Sequence, residues 1–373
     1  MEHTFTANIK SILDKKFEKD SDEIYSNSNL LQYINLKTRS ANKGSKARSS
    51  FANLYAIYVI LEDYIAKGFD NKSGYAKYEG AAFAKLFTRQ RELPFGNKLQ
   101  NHAFNNRLNS EFQKYFPSSE TIPILRNLDT NRYWINENLL KIKIGKNRFN
   151  LAKVIIEVID DYGKNKQDAF LRFIKACEEM QKIKSSKPKK VIEFISGLLE
   201  PNVDARLFEI VSYSILKYYY YDQHIFWGYE VDKLTKDNLR LFKTGRTNAN
   251  DGGIDFVMQP LGRFFQVTET LDFKKYFLDI DKIQKFPITF VIKSDELIET
   301  LLGKIKANAN KIYLVTAIVE KYMACIEEVI NIPTLKQRFE DCIKLGYLNN
   351  ILIEIITQSK VEFNYSDLAN EEL

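Results

Sequence analysis

The sequence predicts a two-part chain: a basic, mostly α-helical region over residues 1–190, then an α/β domain over residues 191–373. Three observations carry this. A length of 373 residues suits two domains of roughly 150 to 200 residues each. The charge is divided, residues 1–190 holding 34 Lys and Arg against 21 Asp and Glu (net +13), and residues 191–373 holding 21 against 27 (net −6). Helical hydrophobic spacing dominates the first part, whereas period-2 runs alternate with helical ones after Pro201.

Composition excludes several classes. Hydrophobic residues make up 45% and aromatic ones 13%, enough to build a core, so disorder, collagen and coiled coil are excluded as the main state. No run of apolar residues is long enough to span a bilayer, and the opening MEHTFTANIKSILDKK lacks the order of a secretion signal, so a cytoplasmic protein without membrane contact is expected. Cys177, Cys325 and Cys342, with His3, His102 and His224, show no metal-binding spacing, which argues against structural zinc and disulfides. A strongly basic half points to a polyanion: nucleic acid first, an anionic membrane surface second.

Residues 24–61 contain no acidic side chain, and LKTRSANKGSKARSS carries Lys37, Arg39, Lys43, Lys46 and Arg48. These cations read as a flexible basic arm that neutralises phosphates, the alternative being a solvated loop. The following FANLYAIYVILEDYIAKGF places Leu54, Ile57, Tyr58 and Leu61 at helical spacing and predicts a buried core helix. Pro94 and Gly96 then punctuate the chain before a second polar helix bearing Lys98, Gln100, Asn101, His102, Asn105, Asn106, Arg107 and Asn109. Amides pair with adenine and Arg with guanine, so Lys98, Asn101, Asn105 and Arg107 are candidates for DNA contact; an ordinary surface helix explains the set equally well. Residues 132–164 alternate through Leu140, Ile142 and Ile144, turn at Gly145 and enter a helix, a pattern compatible with a winged-helix module near 85–165. The basic Ser/Pro stretch 182–190 is the expected domain boundary.

Beyond Pro201, DARLFEIVSYSILKYYYYD predicts a helix capped by Asp204, with Glu209 inside its apolar run. A carboxylate placed there either pairs with Lys or Arg or serves a metal centre. Residues 245–270, GRTNANDGGIDFVMQPLGRFFQVTET, read as a hairpin with a Pro260–Gly262 turn. Alternation sets Gln266 and Thr268 on one face of the second strand, and Phe265, Val267 and Glu269 on the other. Asp255, Gln266 and the Val267 carbonyl together form the oxygen-rich set that Mg²⁺ prefers. Arg246, in the polar loop ahead of Asp255, suits DNA backbone contact or simple exposure.

Gly252-Gly253-Ile254-Asp255 followed by Gln266-Val267-Thr268, with Glu209 on the preceding helix, resembles the PD-(D/E)XK nuclease superfamily in the form used by type II restriction endonucleases and the Mrr branch, where G-G-x-D precedes Q-x-K. The motif resemblance covers residues 204–270. It implies a mixed central sheet flanked by helices, as in restriction endonucleases, and a Mg²⁺-dependent hydrolase that cuts double-stranded DNA at a specific sequence. Asp255, Gln266 and Val267 would hold the metal and Glu209 would assist. A homodimer and a companion DNA methyltransferase acting on the same site are the further partners it suggests. Thr268 stands where that family has its catalytic lysine, and Lys243, Lys274, Lys275 and Lys293 are the nearby candidates to replace it. Thr268 also supports the competing reading of a DNA-binding protein with a lapsed nuclease domain, and a third reading is an enzyme acting on structured RNA. Residues 294–373 show only helical patterns, suited to covering a sheet or a dimer face.

Overall fold

A computed structural model describes residues 2–39, 47–71, 74–96, 99–244, 254–269, 273–283 and 285–363. The candidates Lys43, Lys46, Lys98 and Arg246, with Gly252 and Gly253, lie outside the described residues. The fold is mixed α/β, and the described residues form two compact units, one reaching Phe173 and the other spanning Ile174–Glu362. Each is considered by itself.

In the first unit, α1 (Thr6–Phe17), α2 (Ser21–Asn27) and α3 (Asn29–Thr38) precede the long α4 (Ala47–Ala66). Leu54, Ile57, Tyr58 and Leu61 of α4 are buried, as their spacing predicts, in a core shared with Ile9, Leu31, Phe104, Phe112 and Ile155. A short β1 (Ala81–Ala82), α5 (Phe83–Glu92) and α6 (Leu108–Tyr115) follow, α6 being preceded by a π-helical turn at Ala103–Arg107. Next come β2 (Ile124–Asn127) and β3 (Arg132–Ile135), forming an antiparallel sheet of order β1-β3-β2. The hairpin read around Gly145 is β4 (Lys141–Ile144) with β5 (Asn147–Asn150), Ile142 opposing Phe149, and Gly145 supplies the positive φ of 56° that the turn needs. Helix α7 (Ala152–Ile183) then begins. The division between the units falls inside α7, upstream of the stretch 182–190.

The second unit continues with α8 (Pro188–Gly197), whose first residue is a proline that needs no amide partner there. In α9 (Ala205–Tyr219) the Asp204 side chain accepts the Arg206 and Leu207 amides, confirming the predicted cap. A two-stranded ribbon, β6 (His224–Trp227) with β7 (Thr235–Asn238), comes next, then β8 (Arg240–Lys243), β9 (Phe256–Gln259) and β10 (Arg263–Thr268). Helix α10 (Phe273–Lys282) leads to β11 (Ile288–Ile292), and α11 (Ile298–Ile312) with α12 (Thr316–Ala324) leads to β12 (Ile326–Ile330); α13 (Ile332–Lys344) and α14 (Leu348–Phe363) end the description.

Strands β8 to β12 form one mixed sheet, antiparallel through β8, β9 and β10 and parallel through β10, β11 and β12. Its two faces are covered by different helices. Phe256 meets Tyr213 of α9 at 5.2 Å and Phe265 meets Tyr220 at 6.1 Å, whereas Phe290 meets Tyr276 of α10 at 4.6 Å. Strand alternation therefore sends odd positions of β10 toward α9 and even positions toward α10. One expectation fails here: Ile326–Ile330, whose spacing predicts a helix, is the fifth strand, its β-branched Ile326, Val329 and Ile330 packing beside β11. Among the described residues no helix is long and apolar enough to cross a membrane.

Candidate active site

The register between β9 and β10 assembles the site. Phe256 pairs with Phe265, so Asp255 falls beside Gln266. The Asp255 amide donates to the Phe265 carbonyl at 3.0 Å. Asp255 Oδ2 accepts the Val267 amide at 2.7 Å, and Gln266 Nε2 donates to the Val267 carbonyl at 3.3 Å. Both side chains thus converge on the peptide groups of Val267. The end of β8 ties in as well: the Thr244 amide donates to the Asp255 carbonyl at 3.0 Å, and its hydroxyl donates to the carbonyls of Ile254 and Asp255.

Gln266 is 5% exposed, and its Oε1 has no hydrogen-bond partner among the described residues. An acceptor buried in this condition costs about 1–3 kcal/mol. A bound cation would relieve it. The Asp255 carboxylate, the Val267 carbonyl and Gln266 Oε1 are all hard oxygen donors, so they fit Mg²⁺ better than a metal that prefers nitrogen or sulfur. Among the described residues no three His, Cys, Asp or Glu side chains cluster to hold a metal. Such a site would accordingly lean on amide, peptide and water oxygens beside its single carboxylate.

Thr268 lies on the α10 face with Gln266. Its side chain hydrogen-bonds the phenol of Tyr276, and its carbonyl accepts the Lys293 amide at 2.9 Å. Burial pushes the Tyr276 phenol up, so it stays neutral at physiological pH.

The remaining charged candidates occupy the opposite, α9 face. Glu209 Oε1 pairs with Lys243 Nζ at 3.0 Å, and its Oε2 meets Arg206, which also reaches Glu362 at 3.3 Å. Lys243 is opposite Phe256 in the register, which fixes its face. Lys293 Nζ is 2.8 Å from Glu269 Oε1, donates to the Val203 carbonyl and sits 5.8 Å from the Phe208 ring centre, with its side chain only 4% exposed. Lys293 therefore neighbours Thr268 through the backbone alone, its ammonium being directed to the other side of the sheet. Of the two roles read for Glu209, the structure places it in ion pairing. Lys275 falls in the first turn of α10, and its side chain is outside the described set.

The proposed DNA contacts divide in the same way. Lys37 is buried on the inner side of α3, pairing with Glu111 at 2.7 Å, and Glu111 also accepts from Asn53 at 2.7 Å. A phosphate cannot reach it, which removes Lys37 from the basic arm. Arg39, Asn105 and Arg107 are exposed and Asn101 is half-buried, while Asn109 uses both ends of its amide on the Ile124 backbone. Arg48 stands in the first turn of α4, its side chain outside the described set.

Sequence reasoning missed Arg206, Thr244 and Tyr276. Arg206 was findable, since it stands three residues before Glu209 on one helix face. Thr244 and Tyr276 reach the site only through strand pairing and crossover packing, which leave no local pattern. Comparison of the chain with protein-family models, with curated proteins and with solved structures finds no match.

Proposed function

We propose that the chain is a Mg²⁺-dependent endonuclease that hydrolyses phosphodiester bonds in double-stranded DNA at a specific sequence, in the manner of type II restriction enzymes. The observation that carries this reading is the convergence of Asp255 and Gln266 on Val267, with an orphaned oxygen acceptor buried beside a carboxylate. The order of α9, the antiparallel strands β8 to β10, α10 and a parallel β11 supports it, because that is the arrangement the motif resemblance implies. A companion DNA methyltransferase would protect the same sequence in the host.

Asp255, Gln266 and the Val267 carbonyl would hold the metal. Mg²⁺ would there polarise the scissile phosphate and lower the pKa of a bound water. The Val267 amide keeps Asp255 Oδ2 oriented, so little reorganisation accompanies binding. Lys243 and Lys293 are already matched by Glu209 and Glu269. Charge for the transition state would therefore come from the α10 side, where Lys275 immediately precedes Tyr276, the partner of Thr268.

A second reading, specific DNA binding without cleavage, is favoured by the Thr268 hydroxyl bonding Tyr276 in the position where a lysine would act. Incubation of the purified chain with mixed plasmid and phage DNA, with Mg²⁺ or with EDTA, separates the two. Discrete fragments that appear only with Mg²⁺ are expected; intact DNA that still shifts on a native gel would favour the second reading. Arg39→Ala is expected to flatten the salt dependence of DNA affinity by about one unit of log–log slope. Lys37→Ala is expected to leave that slope unchanged and to lower stability by about 1–3 kcal/mol, because Glu111 loses its buried partner. Equal slopes for the two variants would remove Arg39 from the interface.

A further inference from the structure

Two exposed apolar surfaces stand out among the described residues of the second unit. One is the β6–β7 ribbon, a separate two-stranded sheet on which Phe226, Trp227, Tyr229, Val231 and Leu234 are exposed, Tyr229 completely. Register places Phe226 opposite Lys236 and Trp227 opposite Thr235, so each face of the ribbon presents an aromatic ring. A two-stranded ribbon is marginal in water by itself. The other surface is the shoulder joining α11 to α12, where Ile312, Leu314, Val315 and Ile318 are exposed, Leu314 at 97%.

Their charges are complementary. Residues 221–240 hold Asp222, Glu230, Asp232 and Asp237 against Lys233, Lys236 and Arg240, Glu230 pairing with Lys233 at 2.6 Å and Asp237 with Arg240 at 3.5 Å, whereas residues 306–321 hold Lys306, Lys311 and Lys321 against Glu320. The acids Glu230 and Asp232 flank the ribbon's apolar tip, and Lys311 and Lys321 are exposed around the shoulder's apolar centre. A ribbon with more acidic than basic groups is repelled by DNA phosphates, so its aromatic tip suits a protein surface.

We propose that two copies of this chain associate by exchange, the β6–β7 ribbon of each copy covering the α11–α12 shoulder of the other. The arrangement is two-fold and closed, each copy giving one ribbon and receiving one, which leaves neither surface open for further growth. Burial of Tyr229, Val231 and Leu234 against Leu314, Val315 and Ile318 supplies the apolar centre, and the acid–lysine pairs at its rim set the register. This inference does not depend on the nuclease reading.

Sedimentation of the full chain over a concentration series tests it, with mass as the readout and cleavage playing no part. The unaltered chain is expected to dimerise. E230K/D232K alone and K311E/K321E alone are each expected to weaken the dimer about tenfold or more, and an equimolar mixture of the two should restore it, since opposite charges meet again in both interfaces of the mixed dimer. All four positions are exposed, and circular dichroism checks that the variants stay folded. A chain that is monomeric at every concentration overturns the proposal. So does a dimer that neither variant weakens, and so does a mixture no more associated than its components.

Discussion

Asp255→Ala is expected to abolish Mg²⁺-dependent cleavage, by about 1,000-fold or more, while DNA affinity changes less than about threefold. The first figure follows from what one preorganised charged group contributes to a transition state, roughly 4 kcal/mol or more. The second follows from position, because Asp255 belongs to the mixed sheet, whereas the basic excess lies in residues 1–190. Asp255→Asn is the companion variant. Its side-chain oxygen can still accept the Val267 amide, so it should fold normally and remain inactive, which separates loss of the metal-holding charge from loss of the hydrogen bond. Fluorescence anisotropy with a labelled duplex and a plasmid cleavage assay on the same preparation check both. Cleavage by Asp255→Ala at more than a tenth of the original rate would end the assignment of Asp255.

The second large effect is on stability. Glu209→Ala leaves Lys243, whose side chain is 14% exposed, without the carboxylate 3.0 Å away. Breaking one partner of a buried pair costs up to about 3–5 kcal/mol. For a unit of this size that corresponds to a fall in melting temperature of roughly 6–20 °C. The double variant Glu209→Leu with Lys243→Met removes both charges and keeps the volume apolar, and should recover most of the loss, as replacing a complete buried pair commonly does. Arg206 retains Glu362 at 3.3 Å in either case. Thermal unfolding of the three proteins decides: a double variant no more stable than the single would mean that the charge of Lys243 is not what destabilises Glu209→Ala.

Local chemistry was legible and long-range pairing was not. Helix α4 was readable because Leu54, Ile57 and Leu61 recur at the helical period, and the start of α9 because Asp204 is a side chain that caps. The β9–β10 hairpin could be read with its alternation, which is why Asp255 and Gln266 were brought together correctly from residue types alone. Strand β12 was not readable, since a five-residue run with two consecutive glutamates has no clear period and becomes a strand only because β11 offers an edge. The ribbon β6–β7 was missed because its aromatic residues follow directly on the helical run YYYYD and carry no turn dipeptide between them. Lys37 looked like one of five equivalent cations; only the position of Glu111, 74 residues later, shows that it points inward. Glu209 was rightly singled out as a costly buried carboxylate, but Lys243, which offsets that cost, comes from a strand 34 residues away.

The parallel half of the sheet has a consequence for how the chain is made. β10 and β11 are joined through one helix, but β11 receives its other neighbour, β12, only after α11 and α12 have been synthesised. Until Ile330 leaves the ribosome, the apolar strand Ile288–Ile292, buried along its whole length in the finished fold, presents a bare row of amides and carbonyls to any passing chain. A truncation ending between β11 and α12 therefore produces a sticky fragment rather than a smaller working domain, even though every motif residue is present in it. Expression of the second unit is bound to an all-or-nothing choice of endpoint, set by a strand that contributes no side chain to the chemistry.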